Sequence, residues 1–324
     1  MARMNHWIAA WLAVLIATAV QPALAQDFPT RSVRIVVPFP AGGTADALPR
    51  IVGDWLARKW SQAVVIENKP GAGGNLGAEM VANAEPDGYT LLSSPPPPLV
   101  INQNLYSKLG FDPATFVPIS VMAIVPTALV VNPAKMPANT VPEFIALARA
   151  APDKITAATQ GNGTTSHLSS EMFQLLAKVK FVNIPYRGSA PALQGLVAGD
   201  VDIMFDNLGV SLPLVQGGKL KLIAVGTEKR MAALPDVPTI AETVPGFVSS
   251  AWFAVVAPPK TPAAIATKIN ADISEALQQP EIAKRLADLS AEAVGGSTAA
   301  AAAFINDEAA RWRSVIKATG IKLD

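Results

Sequence analysis

The 324-residue sequence contains no cysteine. That excludes a disulfide scaffold and a lipid carried on an N-terminal cysteine. Histidine is nearly as scarce, with His6 and His167 alone. With no histidine cluster and no HExxH pattern, a transition-metal site is not expected, and no cofactor is expected. Charge is sparse and balanced: 16% of residues are charged and the net charge is +1. Nothing in that balance points to nucleic acid or to an anionic membrane surface as partner. Long apolar runs are missing except near the N-terminus.

That one run is informative. Arg3 supplies a positive start, Trp7 to Val20 is apolar apart from Thr18, and Ala23-Leu24-Ala25 is a small-x-small cleavage site. The pattern is that of a secretory leader, residues 1–25, cleaved after Ala25. Its apolar stretch is short for a membrane span. The mature chain is therefore expected to be exported, not membrane-embedded, and left with His167 as its one histidine.

What remains is ample for a core, since half of the residues are apolar. Strand-like and helix-like segments alternate from Val33 onward. Strands are expected at 33–37, 63–67 and 89–93, with helices at 47–60 and 76–84 between them. On the first helix Ile51, Trp55 and Leu56 should face inward, with Pro49 in the first turn. Four consecutive prolines, Pro95 to Pro98, should form an extended connector. Val117 to Val131, interrupted by Pro118 and Pro126, should carry the chain out of a first domain. The alternation then repeats over 139–225, with strands at 155–159, 182–185, 201–205 and 220–225. An irregular stretch, 234–246, follows. Ala251 to Val256 should return the chain, and helices 262–277, 280–289 and 298–318 should complete the first domain. The expected fold class is α/β, with two domains, each a largely parallel sheet flanked by helices, and two hinge crossings. The first domain would hold residues 26–126 and 250–324, the second 127–249.

Two junctions share one design. In Val36–Asp46, VVPFPAGGTAD, a strand ends in a loop with two glycines, and Thr44 or Asp46 can cap the following helix. In Gln160–His167, QGNGTTSH, a strand end leads to Gly161 and Gly163 and then to Thr164, Thr165 and Ser166. Each junction aims unpaired N–H groups and the positive end of a helix dipole at one spot. Neither holds Lys or Arg. Two such corners facing each other suit a small anion.

A third junction, PYRGSA at 185–190, adds Tyr186 and Arg187. Tyr186 can line a cleft or simply pack between domains. Arg187 can pair a carboxylate or stay solvated. Asp206, at a strand end, can accept from a ligand or cap the next helix. Asp46 is better read as a cap, and Ser94 as a loop-packing residue, although either can reach a ligand. Catalysis has little support. Ser166 and His167 are sequence neighbours, which is no evidence for a nucleophile and base, and His167 reads as a packing or loop-bracing residue. GAGGNLG at 71–77 has glycines misspaced for a dinucleotide loop, with Leu76 where the third glycine should stand.

Seven segments in order carry a family likeness: PFPAGGTAD (38–46), ENKPGAGGN (67–75), PDGYTLL (86–92), GNGTTSHL (161–168), PYRGSAPAL (185–193), GDVDIMFDN (199–207) and LPDVPT (234–239). Together they resemble the Bug family, the TctC-like substrate-binding proteins of tripartite tricarboxylate transporters. The resemblance implies a two-domain periplasmic binding fold of type II. It implies a small carboxylate held in the interdomain cleft, largely by main-chain groups and water. By position, the contacts it implies fall on the first loop, with Phe39, Ala41, Gly42, Gly43, Thr44, Ala45 and Asp46, and on the second, with Gly163, Thr164, Thr165 and Ser166. Ser94, Tyr186 and Asp206 complete the expected ligand-binding set, with no catalytic or metal-binding residue. The family commonly has lysine where this chain has Arg187. The expected protein is a monomeric periplasmic receptor that closes on its ligand and is read by transporter subunits. A receptor feeding a membrane sensor, or a secreted hydrolase, are the alternatives.

Overall fold

The computed structural model describes residues 28–323. The expected leader and its cleavage site lie outside them. The elements run β1 (Val33–Val37), α1 (Thr44–Trp60), β2 (Val64–Asn68), α2 (Asn75–Ala82), β3 (Thr90–Ser94) and β4 (Val117–Val131). Next come α3 (Val141–Ala150), β5 (Thr156–Thr159), α4 (Thr165–Ala177), β6 (Val182–Pro185), α5 (Ser189–Ala198), β7 (Ile203–Asn207) and α6 (Leu208–Gln216). The chain finishes with β8 (Lys221–Val225), β9 (Ser250–Ala257), α7 (Ala263–Leu277), α8 (Pro280–Asp288), β10 (Glu292–Gly295) and α9 (Thr298–Thr319).

The strands lie in the order β2-β1-β3-β9-β4-β7-β5-β6, with β8 and β10 also paired to β4. Each half repeats one plan. Three parallel strands, β2-β1-β3 in one and β6-β5-β7 in the other, meet an antiparallel crossing strand. The sheets are thus mixed, because chain that passes between the halves must run against the parallel set. Strand β4 pairs with β9 as far as Pro126↔Ser250 and with β7 from Thr127↔Asn207 onward. Helices cover both faces of each half. One half buries Ile35, Leu56, Ile269 and Phe253 on one face and Leu92, Trp252 and Trp312 on the other. The second half buries Phe144, Phe173 and Phe205 on one face and Leu193, Leu196 and Met204 on the other. Burial of this apolar surface is the main force holding the layers. Among the described residues no helix is long and apolar enough to cross a membrane.

Several local expectations need correction. The expected break of β4 at its prolines does not occur; it is one 15-residue strand. Register shifts after Pro118 and Val121 absorb the irregularity, and Pro126 sits where the strand changes partners and needs no ladder N–H. The proline run is not extended. Pro96 has helical angles, and Pro97–Ile101 forms a buried π-helical turn. Prolines fit a first turn, where their missing N–H is not used. Helix α1 starts three residues earlier than expected, so Pro49 lies inside it, beyond the first turn. Helix α6, expected after Asp206 but given no bounds, runs Leu208–Gln216 with Asn207 as its cap, and strand β10 was not anticipated. The first carries Gly209 and Pro213, and the second is a short sheet edge, EAVG.

Candidate functional site

The two glycine-bearing corners follow β1 and β5, the central strand of each parallel triplet. Those are the topological switch points, where neighbouring crossovers diverge and leave a crevice at the strand's C-terminal end. The two crevices open on one pocket, and the loop of the first touches the junction that follows β6. A Cβ placed on Gly188 would lie 3.3 Å from Pro40 Cγ, and one on Gly43 would lie 3.5 Å from Ser189 Cβ. Gly188 has φ +103°, so both backbone angle and space favour glycine there.

Between the corners lies an inner chamber of about 30 Å³. That is room for about two or three waters or one carboxylate group. Four helix starts converge on its wall: Gly43, Thr44 and Ala45 of α1, Thr164 and Thr165 of α4, Gly188 and Ser189 of α5, and Asn207 ahead of α6. Each contributes first-turn N–H groups with no partner inside its helix, and the positive end of a dipole. No Lys or Arg lines the chamber. Thr44 is 1% exposed and its hydroxyl is buried without a hydrogen-bond partner. A buried hydroxyl left unpaired costs about 1–3 kcal/mol, so a group in the chamber that bonds it gains affinity. Phe39, Pro95, Pro97, Ala251 and Phe253 supply apolar cover.

The chamber therefore brings together Phe39, Gly43, Thr44, Ala45, Thr164 and Thr165 from the expected set. Others stand behind its wall. Ala41 and Gly42 are exposed at the loop tip. Asp46 accepts from Arg50 at 2.7 Å, Asn68 at 3.0 Å and the Gly42 N–H at 3.3 Å. Burial pushes its carboxyl up, but those three donors outweigh it and hold the group below its usual range. It braces the loop; the helix cap itself is Gly43. Asn68 also donates to the Phe39 carbonyl at 2.9 Å, fixing the same loop to β2.

The second corner is braced in the same manner. The Gly163 N–H donates to His167 Nδ1 at 3.2 Å, and burial lowers the pKa of that imidazole. Thr164 caps α4, and its hydroxyl donates to the Gly161 carbonyl at 2.7 Å. Ser166 donates to the Phe205 carbonyl at 2.5 Å, and Ser94 to the Pro95 carbonyl at 2.9 Å, so neither hydroxyl faces the chamber. Asp206 is buried one layer deeper. Its Oδ1 accepts from Gln160 at 2.6 Å and from Ser189 at 3.0 Å, two residues that do line the chamber. Burial, only partly offset by these donors, pushes its pKa up to about 7. Among the described residues, no group of three or more His, Asp or Glu side chains could hold a metal ion.

An outer chamber of about 440 Å³ adjoins the inner one, and Phe39, Pro40, Gln160, Thr164 and Gly188 belong to both walls. Tyr186, Arg187, Tyr106 and Asn162 line it, together with the Pro70–Gly74 turn. Tyr186 turns its hydroxyl toward Gly195 of α5, where a Cβ would collide with it. Its ring packs on the apolar cluster of that half.

Gln160, Ser189, Asn207 and the β9 pair Ala251 and Phe253 were not among the expected contacts. Ser189 and Asn207 repeat a signal already used twice, a small polar residue between a strand and a helix. Ala251 and Phe253 carry no such signal, since they arrive from the crossing strand.

Residues 48–321 match the family described as "Tripartite tricarboxylate transporter family receptor". The chain is 36% identical to protein BugT of Bordetella pertussis over 96% of this chain and 97% of that one. It resembles the solved structure of Rpa4515 of R. palustris with adipate, at 39% identity and TM-score 0.88, covering 91% of this chain and 99% of that one. MatC of Rhodopseudomonas palustris, solved with bound malate, is 35% identical with TM-score 0.84, covering 89% of this chain and 100% of that one. The two-lobed α/β architecture is the one these structures share.

Proposed function

The chain belongs to the tripartite tricarboxylate transporter receptor family, and from that premise we propose that it is a periplasmic receptor for a small carboxylate. One carboxylate group sits in the inner chamber, held by helix-start N–H groups and by the Thr44 hydroxyl. Residues 26–126 and 250–324 form one lobe and 127–249 the other, closing about the two crossing strands. The closed form is what the membrane subunits of a tripartite tricarboxylate-type transporter engage. The ligand must favour that form over the open one for closure to carry a signal.

The observation that carries this reading is the convergence of four helix starts on one small chamber that contains no cationic side chain. Such a chamber stabilises a negative charge by dipoles and N–H groups alone. The relatives solved with adipate and malate support a carboxylate as the ligand. The protein acts as a binding protein and not as a hydrolase. Ser166 and His167 bond to Phe205 and Gly163, respectively, and do not form a nucleophile–base pair. It works as an exported monomer, released from its leader after Ala25.

The test is Gly43→Asp. Gly43 has φ −105°, an angle any residue adopts, and Asp is a favoured helix cap, so the variant should fold. Its carboxylate would stand at the chamber wall and repel the ligand's. Calorimetry across di-, tri- and aromatic carboxylates should identify a ligand for the wild type and at least 100-fold weaker binding for the variant. Equal affinity in a folded variant would overturn the assignment of the chamber.

A further inference from the structure

The inner chamber has an acid behind its wall that the capture of an anion does not otherwise use. Asp206 is 1% exposed. Its Oδ1 accepts from Gln160 and Ser189, both of which line the chamber, and its Oδ2 is buried with no partner. One hydrogen-bonded side chain therefore separates this carboxyl from a group that fills the chamber. A buried carboxylate is costly when one of its oxygens has no donor. Protonated at Oδ2, Asp206 keeps both bonds to Oδ1 and carries no charge.

The surroundings do not neutralise it. The elements packed on β7 are β4, β5, α4, α5 and α6. Among them only α4 carries titratable side chains, His167 and Glu171. His167 Nδ1 accepts from the Gly163 N–H, and burial lowers the pKa of the imidazole. Glu171 accepts from Asn183 at 2.6 Å, and burial raises its pKa. Arg187 lines the outer chamber and not the inner one, and across the cleft Asp46 is paired with Arg50. Burial accordingly raises the Asp206 pKa to about 7.

A carboxylate entering the inner chamber brings a like charge within one side chain of Asp206. In a chamber without a cation, such a pair is unfavourable when both members are ionised. On the receptor reading above, we propose that carboxylate capture is coupled to uptake of a proton from water: as the anion fills the inner chamber, Asp206 takes the proton on its unpartnered Oδ2. Asp206 is a positioning residue. It orients Gln160 and Ser189 at the wall, and through its proton it sets how affinity depends on pH. The coupling is reciprocal, so affinity is highest where Asp206 is already protonated and falls as pH rises through neutrality.

The experiment is calorimetry with acetate, glutarate and benzoate, each titrated at pH 6.5, 7.5 and 8.5 in two buffers of different ionisation enthalpy. These probes are already ionised across that range, so they contribute no proton of their own. The difference in heat between the buffers counts the protons taken up. Wild type should take up about half a proton per site at pH 7.5 and lose about tenfold in affinity between pH 6.5 and pH 8.5. Asp206→Asn keeps an acceptor for Gln160 and Ser189 but cannot exchange the proton. It should show no uptake and a flat affinity that exceeds the wild-type value at pH 8.5. A merely structural role for Asp206 would instead weaken binding alike at every pH. His167→Gln removes the buried imidazole and should keep the uptake. A wild type with no uptake and a flat pH profile, uptake that survives in Asp206→Asn, or uptake lost in His167→Gln overturns this inference and leaves the carboxylate receptor standing. Failure of all three probes to bind wild type at any of these pH values overturns both.

Discussion

Gln160 donates its side-chain amide to the carboxylate of Asp206 at 2.6 Å, so a wall residue of the inner chamber is oriented by a buried acid. Ser189 bonds the same oxygen, while Oδ2 is buried with no partner. Asp206 is 1% exposed, and burial pushes its pKa to about 7. Between the ordinary carboxylate pKa and about 7 the folded protein holds a proton that the unfolded chain has released. Its contribution to stability is therefore fully present below the ordinary carboxylate pKa and is lost as pH rises through about 7. The full effect is on the order of 4 kcal/mol. Urea midpoints at pH 5 and pH 8 should differ in that direction, and Asp206→Asn should flatten the difference. A wild type equally stable at both values would show that Asp206 is ionised throughout.

Asp272 titrates in the opposite sense. It is buried on α7 and accepts from the Trp60 indole at 2.7 Å and from Lys59 at 2.8 Å, both on α1, and from Lys268. Burial raises its pKa, but the three donors overcome this and leave it below the usual range. Its contribution is present above the ordinary carboxylate pKa and lost as pH falls through the lowered value. Asp272→Ala leaves the Trp60 N–H without an acceptor and should cost about 3 kcal/mol at pH 7. Asp272→Asn keeps an acceptor and should cost less. Thermal melts of the two variants at pH 7 check the order; equal melting temperatures would mean that the lysines, not the indole, set the energy.

These two acids show where sequence reading stops. The glycine-and-hydroxyl corners after β1 and β5 were legible because loop, cap and helix start are local and lie together in sequence. The family segments placed them in one cleft. Whether a given polar group serves the ligand or the protein was not legible. Ser166, Ser94 and Asp206 adjoin residues that line the inner chamber yet bond to Phe205, Pro95 and Gln160, and only packing decides which partner a side chain meets. Ala251 and Phe253 come from a strand more than 200 residues beyond the first corner, so no local pattern assigns them. The extent of helix α6 was hidden by its own residues. LGVSLPLVQ holds a glycine and a proline, and tertiary contact, not propensity, keeps it helical.

That contact makes the last prediction. Gly209 of α6 lies against the Leu289 backbone beside α8, so the two lobes meet there main chain to main chain. A Cβ at Gly209 would overlap the Leu289 carbonyl. Local preference and tertiary fit oppose each other, since Ala in place of Gly favours a helix by about 1 kcal/mol. The overlap should dominate, because backbone cannot move aside as a side-chain tip can, and overpacking costs about 1–3 kcal/mol. Gly209→Ala should therefore wedge the lobes apart. Affinity for the best ligand should drop about tenfold although no chamber residue has changed. Small-angle scattering with saturating ligand should give a larger radius of gyration than wild type. If affinity and radius both match wild type, the α6–Leu289 contact does not move with closure, and the hinge lies entirely in the crossing strands.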